Sequence, residues 1–181
     1  AMMRLAGRSL DGVRQQGFAT RKYLEEVALP NLLDGLEQSG RDRRRFEVWG
    51  GGFVATAPTE DALRKQAEAI RYRVAFYGST RSYHPVLAVH GWEELGMKLH
   101  ALSKQGRWSE MAAEVPDEVL HTFAAIATHD RLRDAIEERF GGIVDSIALD
   151  FDGDTGVGER RELIQDIRSI ASPFEGFATG W

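Results

Sequence analysis

The feature that most restricts this chain is an alternation of short apolar runs with longer amphipathic stretches. The runs "FEVWGGGFVATA", "LHTFAAIAT" and "IVDSIALDF" are rich in Val, Ile, Phe and Ala, a composition suited to strands covered on both faces. Between them, apolar residues recur at threes and fours. In the stretch from Thr20 to Gln38 they fall at Tyr23, Leu24, Val27, Ala28, Leu32 and Leu36, one face of a helix. Ser39-Gly40 is its stop signal, and Pro30 is expected to bend it or divide it in two. Thr59 is placed to cap a helix beginning "EDALRKQAEAI", whose acidic residues sit in its first turn, where the helix dipole favours them. Further helices are expected over "MMRLAGRSL", from about Asp130 to Phe140, and over "ERRELIQDIRSIAS". A short strand is expected in "DGVRQQGF". Strands alternating with helices pair in parallel through right-handed crossovers. The fold class is therefore α/β.

At 181 residues, 43% hydrophobic and 28% charged, the chain suits a single domain over 1–181. The formal net charge of -5 argues against nucleic acid as a partner, because phosphate neutralisation needs a concentrated basic surface. The one basic run, "RDRRRF", lies between a helix pattern and a strand pattern and reads as a solvated turn. Zero cysteines exclude disulfides, thiolate metal sites and thiol nucleophiles. No apolar run approaches the ~20 residues that span a bilayer, and "AMMRLAGRSLDGV" lacks a signal-peptide core. A cytoplasmic location with no membrane partner is expected. A closed parallel barrel takes roughly 250 residues, so an opening helix followed by three or four strands leads us to expect further strands upstream.

Several segments invite a site reading. The stretch from Val74 to Trp108 holds His84, His90 and His100 with Tyr77 and Tyr83. Zinc sites favour two His at i and i+4 on one helical face. His84 and His90 are six apart with Pro85 between them, so no metal is expected. Stacking on nucleic acid would need interleaved basic residues, and only Arg81 is near. "WGGGF" lacks the full spacing of a phosphate loop; its glycines let a strand bend or a ligand approach the backbone. In "DFDGDTGVGE", Asp150, Asp152 and Asp154 match the first positions of a calcium loop, but Thr155 stands where Gly belongs and Arg161 where Glu belongs, so calcium is not expected. No Ser-His-Asp arrangement is evident, and His100, His121 and His129 have no context that singles them out.

Three segments carry a resemblance. "AMMRLAGRSLDGV" resembles the segment after the fifth barrel strand of luciferase-like monooxygenases. "ATHDRLRDAIEERFGGIVDSIALDF" is similar to their approach to the eighth strand. "AFYGSTRSYHPVLAVHGWEELGMKLHALSKQGRWSEM", with "VPDEVLHTFAAIAT" after it, resembles one branch, the oxidoreductases that use the deazaflavin coenzyme F420. Thr128-His129 departs from that family's Thr-Pro pattern. The resemblance implies the C-terminal half of a (β/α)8 TIM barrel, an incomplete barrel carrying a helical insertion over 77–118. It implies an oxidoreductase moving a hydride between the deazaflavin and a small organic substrate, with flavin mononucleotide (FMN) the alternative cofactor. A non-catalytic fragment that binds no cofactor alone is the other alternative. For the coenzyme it implies main-chain amides of Met2 and Met3, charge from Arg4, and hydrogen bonds from Gln15 and Gln16. Tyr77, Tyr83 and His84 would line the substrate pocket. The catalytic acid or base is expected outside this stretch, and a homodimer is the expected assembly.

Overall fold

The computed structural model describes residues 1–151 and 155–177; of the acidic-loop residues, Asp152 and Asp154 lie outside the described part. Helix α1 (Met2–Ser9) buries Ala6 and Gly7 and leads into strand β1 (Gly12–Gln15). Thr20 then caps a helical run, its side chain accepting from the Tyr23 N–H at 3.1 Å. The run continues through α2 (Arg21–Tyr23), a π-helical turn (Leu24–Ala28) and α3 (Leu29–Gln38). Pro30 therefore does not divide the helix. Proline has no N–H to donate to the preceding turn, and the wider π turn just before it absorbs the mismatch. Helices α1 and α3 cross at two glycines. A Cβ on Gly7 would lie 2.8 Å from the Leu36 nitrogen, and one on Gly35 would strike the Arg4 backbone.

The glycine-rich run forms two strands, β2 (Glu47–Gly50) and β3 (Phe53–Ala57), separated by a kink at Gly51-Gly52. Gly50 and Gly51 adopt φ of +81° and +102°, conformations in which a side chain is strained. Helix α4 (Glu60–Gly78) starts at the Thr59 cap, with Glu60 and Asp61 in its first turn. The segment that follows is helical: α5 (His84–Ala88), α6 (Glu93–Lys104) and α7 (Asp117–Phe123). "LHTF" thus belongs to a helix rather than a strand. Val119, Leu120 and Phe123 are buried at helical spacing, with acidic residues in the first turn. Strand β4 (Ala124–Thr128) follows directly, then α8 (Leu132–Phe140) and α9 (Val157–Arg168).

Both strand pairs are parallel. β1 lies on β2 with Gln15 opposite Gly50, and β3 lies on β4 with Phe53 opposite Ala124. No closed barrel forms among the described residues. "IVDSIALDF" is not a strand; only a single parallel bridge joins Ser146 to Trp49. The reason lies in Asp145. Its carboxylate, 1% exposed, pairs with Arg43 at 2.9 Å and accepts from the Val48 N–H at 2.7 Å and the Ser172 hydroxyl at 2.8 Å. A donor of β2 is thereby taken by a side chain instead of a neighbouring strand.

The main core forms around Phe18, which stacks on Phe123 at 4.3 Å between centroids. A second cluster joins Leu24, Leu132, Ile136 and Phe140, and a third joins Ala6, Leu32, Leu36, Phe46 and Val48. Burial of such side chains contributes roughly 1.5–3 kcal/mol each.

Candidate functional site

In parallel α/β structures, ligands bind beyond the carboxyl ends of the strands. Beyond Gln15 and Gly50, the last residues of β1 and β2, lies a cleft of about 580 Å³. Its walls include Gln15, Gln16, Trp49, Gly50–Gly52, Arg73 and Asp150. The glycines make one wall out of bare backbone. A Cβ on Gly50 would lie 2.9 Å from the Gln15 carbonyl oxygen, so no side chain can stand between the two strand ends. A Cβ on Gly52 would lie 2.7 Å from the Phe140 ring.

The polar groups are held in place from behind. Gln15 donates from Nε2 to the Met3 sulfur at 3.1 Å, which ties the strand end to α1. The Gln16 side-chain oxygen accepts from the Phe18 N–H, leaving its amide NH2 as the donor. Two cations are stacked on aromatic faces: Arg14 over Trp49 at 4.1 Å and Arg73 over Phe53 at 4.7 Å. Stacking of this kind holds a guanidinium flat and keeps its edge donors available.

Arg139 supports the kink from beneath. Its Nη2 donates to the carbonyls of Ala19 at 2.5 Å and Gly51 at 3.1 Å. Burial pushes its pKa down to about 10, so it stays charged at neutral pH. Nothing in "EERFGG" announces this role, because an arginine in the last turn of an amphipathic helix reads as solvated. Trp49 and Arg73 were likewise legible only as strand and helix residues.

The residues singled out in the sequence fall in three places. Gln15 and Gln16 line the cleft, with Met3 touching Gln15. Met2 is 83% exposed and Arg4 is engaged by Asp34 and Asn31 on α3; neither is among the residues lining this cleft. Tyr77 and Tyr83 meet edge to face at 5.8 Å and both pack on Phe18. Tyr77 also stacks on Phe53, a residue of the cleft wall. His84 lies apart, against Gly96 and His100. No group of three or more metal-ligating side chains occurs among the described residues. No helix among them is long and apolar enough to cross a membrane.

Comparison with known proteins adds to this geometry. The chain is 41% identical over 147 residues to uncharacterized proteins of Mycobacterium bovis and Mycobacterium tuberculosis, a match covering 81% of this chain and 43% of each relative. It thus spans less than half the length of the curated relatives it matches. Among solved structures it superposes on the coenzyme F420 dependent tetrahydromethanopterin reductase from Methanopyrus kandleri with a TM-score of 0.68 at 23% identity, covering 94% of this chain and 47% of that one. An F420-dependent secondary alcohol dehydrogenase in complex with an F420-acetone adduct matches with a TM-score of 0.58 at 18% identity, covering 92% and 46%. Both share the fold. Residues 1–146 match the family model for luciferase-like monooxygenase, and the chain belongs to that family.

Proposed function

We propose that this chain is the cofactor-facing half of an oxidoreductase that uses the deazaflavin coenzyme F420 and acts on a small organic substrate. The observation that carries the reading is the cleft beyond the carboxyl ends of β1 and β2, lined by Gln15, Gln16 and the Gly50–Gly52 backbone. The two fold neighbours, both described as F420-dependent, support this cofactor class. The cleft suits a planar heterocycle with hydrogen-bonding edges. Bare glycine backbone accepts the flat face, and the Gln16 amide meets a polar edge. Arg14 and Arg73 offer positive charge for an anionic tail. The bound coenzyme supplies a hydride acceptor and donor at ring carbon C5. The protein's own part is to orient the ring against the glycine ledge, hold its polar edge with Gln15 and Gln16, and exclude water from the apolar side formed by Trp49 and Phe53.

The test is a fluorescence titration of the 181-residue chain with F420 and, separately, with FMN. Saturable quenching with F420 alone, weakened at least tenfold by Gln16→Ala, supports the reading. Saturable quenching with FMN alone replaces the deazaflavin with a flavin. No binding of either leaves a non-catalytic fragment as the better description of this chain.

A further inference from the structure

A second cavity, of about 500 Å³, lies against Arg139 and is walled also by Arg21, Lys22, His90, His121 and Glu138. Arg139 is only 7% exposed. A guanidinium carries five N–H donors, and here only Nη2 is used, on two backbone carbonyls. Nε and Nη1 are buried without a partner. Arg139 forms no ion pair among the described residues. The surroundings compensate it only in part: the guanidinium lies over the Phe140 ring at 4.9 Å, Glu25 on the cavity wall favours its charge but is paired with Arg21 at 2.9 Å, and Glu138 is exposed. Arg21 is held in turn by the Glu138 and Gly141 carbonyls. Buried charges are normally paired, because an uncompensated one is costly. A cavity in the size range of ligand sites, about 300–1,000 Å³, thus borders a cation with unspent donors.

Beside the carboxylates of Glu25 and Glu138, the wall carries further cationic and donor groups that fit an anion. Lys22 is exposed and makes no ion pair among the described residues. The Thr20 hydroxyl, whose oxygen accepts from Tyr23, is 2.8 Å from His90 Nε2. With Thr20 assigned as the donor, His90 carries its hydrogen on Nδ1, a further donor on a residue of the cavity wall. We propose that this cavity binds a small oxyanion, a phosphate or carboxylate group, with Arg139 at its floor and Lys22 at its rim. The site uses neither Gln15 nor Gln16 and goes beyond the coenzyme reading.

Isothermal titration of the 181-residue chain with sodium phosphate, and separately with sodium succinate, at ionic strength held constant with sodium chloride, tests it. Saturable binding of either anion at one site per chain is expected, and the tighter of the two identifies the oxyanion class. Lys22→Gln should weaken it about fivefold, the effect of one partly solvated charge, and Lys65→Gln, on an exposed face of α4, should leave it unchanged. Arg139→Met should abolish binding; because that variant also loses the Ala19 and Gly51 contacts, Lys22→Gln keeps the test independent of its folding. Gln16→Ala should spare anion binding even where it weakens the coenzyme titration. No saturable heat with either anion, or equal weakening by Lys22→Gln and Lys65→Gln, overturns the proposal.

Discussion

The glycine kink between β2 and β3 makes a graded prediction, because three glycines of this chain isolate three different physical effects. Gly158 lies in helix α9, has ordinary helical φ and open space where a Cβ would stand. Gly158→Ala should stabilise the protein by about 0.5 kcal/mol, the helix preference of alanine over glycine. Gly142 has φ of +74° and again nothing within 4 Å of a Cβ. Gly142→Ala should therefore cost only the left-handed backbone penalty, about 1–2 kcal/mol. Gly50 has φ of +81°, and its Cβ would lie 2.9 Å from the Gln15 carbonyl oxygen. That oxygen is backbone in a paired strand and cannot turn aside, so an overpacking cost of about 1–3 kcal/mol adds to the backbone penalty. Gly50→Ala should then cost about 2–5 kcal/mol in total. Urea unfolding by circular dichroism, with m unchanged across the series, gives all three values. A Gly50→Ala loss within about 0.5 kcal/mol of the Gly142→Ala loss would refute the close approach of the two strand ends, and with it the bare-backbone wall of the cleft.

Other predictions follow from single residues. Asp145→Ala should cost about 3–5 kcal/mol by leaving Arg43 without its buried carboxylate, and should expose the 172–174 segment to limited proteolysis; unchanged cleavage would show that Asp145 does not hold it. Thr20→Val removes both the helix cap and the partner of His90, and should cost about 2 kcal/mol or more in urea unfolding. His90 has its pKa lowered, first by burial and then by Lys22. Its neutral form is favoured in the folded state, so the unfolded chain takes up the proton first. Stability is fully present above the unfolded value of about 6.5 and falls as pH drops from there toward the folded value, with a slope no steeper than about 1.4 kcal/mol per pH unit. His90→Gln should remove that part of the slope between pH 7 and pH 5, and an identical slope in both proteins would assign it to other groups.

The elements that were legible in the sequence are those decided by local chemistry. Thr59 with two acidic residues after it specifies a helix start whatever surrounds it, and the structure has that cap. The apolar runs "FVATA" and "AAIAT" become paired parallel strands. The short strand expected in "DGVRQQGF" is β1, Gly12–Gln15; the placing of Gln15 and Gln16 at a ligand site comes from the family resemblance, not from local chemistry. The failures have tertiary causes. "IVDSIALDF" has the composition of a strand, but Asp145 within it is drawn into Arg43, Val48 and Ser172, and the ladder stops at one bridge. "LHTF" joins in sequence to the apolar run "AAIAT" that follows it, yet its own apolar residues are three apart, and the helix that starts at Asp117 continues through it to Phe123.

Arg139 shows most directly what a linear reading misses. Its immediate neighbours, two glutamates before it and Phe140-Gly141 after it, are those of a solvated helix end. Its burial comes from carbonyls 120 and 88 residues away, those of Ala19 and Gly51. Those carbonyls are turned toward it because Gly51 adopts a φ of +102° and because Thr20 starts a helix directly after Ala19. A run of glycines, visible in the sequence, and the Thr20 cap, seen only in the structure, thus create the acceptors that bury Arg139. The same guanidinium stands between the glycine wall of the cleft and the cavity beyond it. Conservative replacement by lysine would keep the charge but supply one nitrogen where two acceptors and a cavity must be served.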